Sequence, residues 1–280
     1  MGLLITPDEL RTLIDTGHPL TLLDVRWRLD RPDGRAEYSQ GRVPGAVYVD
    51  LEEELAERGR PAAEGRHPLP SSERLQSAAR RWGLQEGDVV VVYDDVQNTA
   101  SARAWWLLTR AGVADVRILD GALQGWSDAG YGLATGESAP EPSAITLNDE
   151  ELQTLDIEAA AVFPSQGTLV DARAEERYRG EAEPLDPRAG HIPGALSIPT
   201  SGNVDESGSF LSPEQLRERF LQLGVDPEKP VASYCGSGVS AAHEIAALEL
   251  AGFDAALYPG SFSQWSNHPE RPVATGGQPE

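Results

Sequence analysis

Val231-Ala232-Ser233-Tyr234-Cys235-Gly236-Ser237-Gly238-Val239-Ser240-Ala241-Ala242-His243-Glu244-Ile245 passes from a short apolar run, through a loop broken by two glycines, into a segment of helical composition. A strand that ends in a loop and feeds a helix is the repeating step of an α/β fold, and ligands in such folds bind at the carboxyl ends of the strands. The first half of the chain carries the same step. Val89-Val90-Val91-Val92-Tyr93 is a continuous β-branched run with no polar alternation, which predicts a strand buried on both faces of a parallel sheet. Asp94 follows it where Cys235 follows Tyr234.

The correspondence extends along the chain. Leu23-Asp24-Val25-Arg26 returns as Val170-Asp171-Ala172-Arg173, and Val43-Pro44-Gly45-Ala46 returns as Ile192-Pro193-Gly194-Ala195. Ala111-Gly112 returns as Ala251-Gly252, and Gly121 and Trp126 return as Gly260 and Trp265. Order is kept and the spacing drifts by only a few residues, which identifies two copies of one domain. In the first copy, strands are predicted at Leu20–Val25, Val89–Tyr93 and Val116–Leu119, with helices at Pro7–Asp15, Ser71–Trp82 and Ala100–Arg110. In the second, strands are predicted at Thr168–Asp171, Val231–Tyr234 and Ala255–Tyr258, with helices at Pro213–Leu223 and Val239–Leu250. Gly132 to Ser143 is rich in Gly, Pro, Ser and Glu and has no periodicity, so it reads as a linker. The expected division is a first domain at 1–131, a linker at 132–143 and a second domain at 144–280.

Composition narrows the chemistry. The 280 residues include 45 acidic and 23 basic ones, a formal net charge of −22. That charge opposes nucleic-acid binding, which needs a basic surface, and adhesion to anionic membranes. An anionic substrate would need a local cluster of arginines. Lys229 is the only lysine and stands beside Pro230 in a polar turn, away from any phosphate-loop pattern. Lysine Schiff-base chemistry and Walker-type nucleotide hydrolysis are therefore unsupported. Cys235 is the only cysteine, so there is no intramolecular disulfide and no cysteine-rich zinc site, and no cofactor or metal is called for. A lone thiol suits a reducing compartment, and the cytoplasm is the expected address. The start, Met1-Gly2-Leu3-Leu4-Ile5-Thr6-Pro7, lacks the basic flank and apolar core of a secretory signal. Gly2 with Thr6 meets a loose myristoylation pattern, but a short buried segment leading to a helix cap at Thr6 accounts for the same residues.

The Cys235 loop is built as a site. Gly236 and Gly238 let the backbone curl so that its N–H groups form an anion nest, and the helix that follows adds its positive end. Both effects favour a thiolate over a thiol. The loop of the first copy, Asp94-Asp95-Val96-Gln97-Asn98-Thr99, has no glycine. One copy is equipped for chemistry and the other is not. A cysteine phosphatase would need an arginine a few residues past the cysteine, whereas the first one downstream is Arg271.

With these motifs in place, together with Gly190-His191-Ile192-Pro193-Gly194-Ala195 and Gly260-Ser261-Phe262-Ser263-Gln264-Trp265, the chain resembles the two-domain rhodanese-type sulfurtransferases over essentially its whole length. The resemblance implies two tandem rhodanese-like domains, each a mainly parallel sheet flanked by helices, with an inactive first copy. It implies that Cys235 carries a sulfane sulfur as a persulfide. The uncharged loop Cys235 to Ser240 is similar to that of 3-mercaptopyruvate sulfurtransferases, with Ser240 in place of a threonine; thiosulfate-using rhodaneses usually carry Arg and Lys there. On this resemblance Gly236, Gly238, Val239 and Ser240 line the substrate, Arg177 binds the donor carboxylate, and Arg188 is the nearest second arginine. Ser237 and His67 form a relay with an acid, which by position is Glu52, with Asp50 as the alternative. Arg173, Arg179, His191 and His243 are expected to be structural. A small anionic sulfur donor, and as acceptor an external thiol (thioredoxin-like or small) or cyanide, complete the expected partners. Thiosulfate as donor, or a persulfide carrier with little turnover, are the alternatives.

Overall fold

The computed structural model describes residues 2–148 and 154–279, so the outermost residues of the expected domains, Met1 and Glu280, lie outside it. The described chain forms two compact units. In the first, β1 (Leu4–Ile5), α1 (Pro7–Thr16), β2 (Leu20–Asp24), α2 (Arg35–Gln40), β3 (Val47–Tyr48), α3 (Leu51–Glu54), α4 (Ser72–Arg81), β4 (Val89–Tyr93), α5 (Ser101–Arg110), β5 (Val116–Leu119) and α6 (Ala122–Asp128) follow in order. The second contains α7 (Ile157–Val162), β6 (Thr168–Asp171), α8 (Glu175–Tyr178), β7 (Leu196–Ser197), α9 (Pro213–Gln222), β8 (Val231–Tyr234), α10 (Ser240–Leu250), β9 (Ala255–Leu257) and α11 (Ser261–Ser266).

Both sheets are parallel throughout. The first runs β1-β5-β4-β2-β3 and the second β7-β6-β8-β9. In the second, a bridge between Thr154 and Leu257 stands where β1 joins β5 in the first. The central strand β4 is buried at every residue, as a strand with helices on both faces must be. Helix starts follow local chemistry: Thr6 and Glu9 form a capping box at α1, and Ser212 and Gln215 form one at α9, each with proline in the first turn.

The repeated motifs are repeated bonds. Arg26 clasps Asp24 and the Gly41 carbonyl, as Arg173 clasps Asp171 and the Gly190 carbonyl. The Tyr93 hydroxyl accepts from Val43 N–H at 3.1 Å, and that of Tyr234 accepts from Ile192 N–H at 3.1 Å. Trp126 and Trp265 are buried in matching cores, the first among Ile5, Leu22, Val91 and Leu119, the second among Leu169, Ala232, Tyr258 and Phe262.

The units do not follow the linear cut at 131 and 144. The first comprises 1–57, 69–152 and 205–210; the second comprises 58–68, 153–204 and 211–280. Residues 132–143, expected to be a linker, cluster with the first unit, whose side chains and main chain hold them: Arg42 binds the Gly136 carbonyl, Tyr38 accepts from Ser138 N–H, and the Arg80 carbonyl accepts from Ser143 N–H. Phe210 N–H donates to Asp120, which ties 205–210 to the same unit. Among the described residues, no helix is long and apolar enough to cross a membrane.

Candidate active site

β8 ends at Tyr234, and the chain turns through 235–239 before α10 begins. Gly238 takes φ 79°, a left-handed step that favours glycine, and its N–H donates to Cys235 Sγ at 3.1 Å. Of the amides at 236–240 expected to face the sulfur, this one bonds it directly. The loop is fastened to the head of α11. Cys235 N–H donates to Ser261 Oγ, Phe262 N–H donates to the Cys235 carbonyl, and Ser263 N–H donates to the Gly236 carbonyl. Ser261 adopts φ 54°, unusual for a residue with a side chain, and its hydroxyl donates to the Tyr258 carbonyl. Those bonds explain the Gly260–Trp265 motif. The thiol is 2% exposed, in a wall of polar loop.

Segment 58–68 belongs to this second unit, and it brings in two basic residues. His67 Nδ1 lies 2.8 Å from Ser237 Oγ, both groups buried. Arg66 N–H donates to Ser263 Oγ, and its guanidinium pairs with Asp186. Arg177, at the end of α8, pairs with Glu183 (2.7 Å) and Asp186 (3.2 Å). A methyl group on Gly236 would sit 3.1 Å from Arg66 Nη2 and 3.3 Å from Arg177 Nη1. Two guanidinia thus converge beside the cysteine, where the sequence pointed to Arg177 and Arg188.

Arg188 is the correction. Its Nε donates to the Ser266 carbonyl, Nη1 to that of Arg271, and Nη2 to those of Trp265 and His268. Main-chain acceptors at and just beyond the end of α11 take four of its five N–H groups, so it anchors that segment. Arg66 stands beside Arg177 instead. The signal that could have found it is its place directly before His67.

The remaining assignments divide cleanly. Val239 and Ser240 stand at the start of α10. Asp50, the alternative acid, accepts from Glu52 N–H and Glu53 N–H through Oδ1 as the cap of α3. Glu52, on α3 of the first unit, accepts from Trp27 Nε1 at 3.4 Å. Arg173 is buried between Asp171 and Glu183, and Arg179 forms an exposed pair with Glu175. His191 bonds the Tyr178 carbonyl through Nδ1 and stacks on the Tyr178 ring at 3.7 Å; burial holds its pKa below the ordinary value. His243 is buried on α10.

Comparison with known proteins agrees with this layout. The Rhodanese-like domain family matches residues 6–129 and 150–268. SseB of Mycobacterium tuberculosis, provisionally named a thiosulfate sulfurtransferase, is 49% identical over 276 residues, covering 98% of this chain and 97% of its own. A protein of Pseudomonas aeruginosa, provisionally named a 3-mercaptopyruvate sulfurtransferase, is 44% identical over 265 residues, covering 92% and 93%. The crystal structure of SseA from Escherichia coli, a 3-mercaptopyruvate sulfotransferase of the rhodanese fold, superposes with a TM-score of 0.83 at 30% identity, covering 93% of this chain and 99% of that one. The chain belongs to the rhodanese family and is a sulfurtransferase built of two rhodanese-like domains.

Proposed function

We propose that the protein takes sulfane sulfur from 3-mercaptopyruvate onto Cys235 and passes it to an external acceptor, with the first domain catalytically inactive. The observation that carries the donor is the 2.8 Å contact between His67 Nδ1 and Ser237 Oγ, two residues from the thiol. Arg177 and the backbone of Gly236, Gly238, Val239 and Ser240 orient the donor, which lowers the entropic part of the barrier. The Cys235 thiolate attacks the mercapto sulfur. An S–S bond forms, the C–S bond breaks, and its electron pair leaves as the enolate of pyruvate. The mercapto proton ends on the enolate carbon, and Ser237 with His67 is the relay that moves it. The Gly238 amide holds the persulfide left on Cys235.

In the second half-reaction an acceptor thiolate, or cyanide, attacks the outer sulfur, and Cys235 leaves as thiolate. With one cysteine in the chain, the persulfide has no internal partner, so the acceptor comes from outside and the kinetics are ping-pong. A thioredoxin-like protein or a small thiol fits that need, and the lone thiol fits the cytoplasm. Thiosulfate is the second reading, favoured by the name of the Mycobacterium tuberculosis relative. It would release sulfite and needs no proton, so the relay would be idle.

Intact-mass measurement after exposure to each donor tests both readings. Wild type should gain the mass of one sulfur atom, and Cys235→Ser should gain none. No gain from either donor overturns the assignment; a gain from thiosulfate alone selects the second reading.

A further inference from the structure

Asp186 occupies an unusual position in the donor site. One carboxylate oxygen pairs with Arg66 Nη1, and the other lies 3.2 Å from Arg177 Nη2. Its side chain is 1% exposed. The loop that presents it is built around Glu183, whose Oε1 accepts the N–H groups of both Leu185 and Asp186, and prolines at 184 and 187 stiffen it. Glu183 also occupies the Nε side of Arg177. Among the described residues, Arg66 Nη2 and Arg177 Nη1 are left without a hydrogen-bond partner, and those are the two nitrogens that lie over Gly236. A carboxylate there can accept one N–H from each arginine.

The charges around this opening balance. Arg66, Arg173 and Arg177 face Asp171, Glu183 and Asp186 through buried or half-buried pairs. Two converging arginines therefore present a site with no net surplus of positive charge, in a chain of net charge −22. We propose that Asp186 is a specificity-determining residue: by spanning Arg66 and Arg177 it tunes the donor site to a singly charged carboxylate and penalises a doubly charged donor. This rests on the reading of the Cys235 loop as the place where sulfur is loaded. The repulsion a bound anion meets from Asp186 scales with the anion's charge, and burial leaves it poorly screened by salt.

A second consequence is proton uptake. Burial and the neighbouring Glu183 push the Asp186 carboxyl up, while Arg66 and Arg177 hold it down. A dianion resting on the two arginines cancels part of that hold, so thiosulfate binding draws a proton onto Asp186 and strengthens as pH falls.

Steady-state kinetics of Asp186→Asn with 3-mercaptopyruvate and with thiosulfate, across about pH 6 to 8, test this. The expected result is a fall in KM for thiosulfate of about tenfold relative to that for 3-mercaptopyruvate, with kcat changed far less, and loss of the pH dependence of the thiosulfate KM. Equal changes for both donors, or a persisting pH dependence, overturn it. If that variant does not fold, Arg66→Gln supplies the converse: KM rises for both donors and more steeply for thiosulfate, while an equal rise overturns the proposal. Persulfide formation on wild type separates the two readings. Sulfur loaded by wild type, with an unchanged donor ratio in the variants, rejects the role of Asp186 alone; no loading from either donor rejects both.

Discussion

Around Asp94, four main-chain amides converge on a carboxylate: Val96 and Asn98 donate to Oδ1, Ala100 and Ser101 to Oδ2, all within 2.9 Å. Around Cys235, one amide donates to a sulfur and two arginines stand over the next residue. Both loops follow the central strand of a parallel sheet and lead into a long helix. The first supplies its own anion to the nest and is full. Its backbone adopts positive φ at Gln97 and Asn98, without glycine, and the four bonds hold that strain. The second puts glycine at its left-handed step and leaves the nest for an anion made during the reaction. The contrast continues outside the loops. Tyr38 and Tyr178 make the same bond, to the carbonyls of Ala46 and Ala195, yet Glu37 precedes the first and Arg177 the second. A shared scaffold thus gives an anion site only where the internal anion is gone and a cation stands beside it.

Exchanging the two loop residues attacks this comparison most directly. In a Cys235→Ser background, Asp94→Cys should take up no sulfur from either donor by intact mass, because the first copy has an acid where the arginine is needed. The same change strips three buried amides and one half-buried amide of their acceptor and should cost about 3 kcal/mol of stability in denaturant unfolding. Sulfur on the new thiol would break the comparison, since loop position alone would then suffice. A smaller effect separates the donors. Ser237→Ala should lower kcat with 3-mercaptopyruvate about a hundredfold, because the enolate loses its proton relay, and should lower the thiosulfate rate far less. Equal loss with both donors would make Ser237 a structural residue of the loop.

The sequence reveals what local pattern controls. Val89–Tyr93, Val116–Leu119, Thr168–Asp171 and Val231–Tyr234 appear as strands at the bounds read from their apolar runs. The two-residue strands Val47–Tyr48 and Leu196–Ser197 do not, since each pairs with a single neighbour and is too short to show a period. At the site, the cysteine loop, Ser237, His67 and Arg177 are legible from motif and resemblance. Arg66 is not, because its place beside Arg177 arises only when 58–68 folds as part of the second unit. Arg188 misleads for the same reason. Its distance along the chain from Arg177 says nothing of the carbonyls waiting at the end of α11. Within 132–143, where Gly, Pro and Ser suggest freedom, Arg42, Tyr38 and Arg80 supply fixed partners that composition does not show.

One buried pair lets the comparison be sharpened without touching the reaction. Nine residues after Asp94 stands Arg103, and nine after Cys235 stands Glu244, both fully buried on the helix that follows the loop. Arg103 donates to the Leu55 carbonyl. Glu244 accepts from Asn203 Nδ2 at 2.7 Å through one oxygen, while the other, Oε1, has no partner among the described residues. Burial raises its pKa from 4.5 to about 8, outweighing the Asn203 bond and the charge of Arg219. A carboxyl raised on folding binds its proton more tightly in the native state, so its contribution to stability is full below 4.5 and is lost as pH climbs to about 8. The slope approaches about 1.4 kcal/mol per pH unit inside that window. Glu244→Gln keeps the Asn203 partner and removes the titration. Its melting temperature should gain on that of wild type by several degrees between pH 5 and pH 8, with the gap opening steadily as pH rises. A gap independent of pH would mean that Glu244 is already ionised in the native state, and that the second copy, like the first, carries a buried charge on this helix.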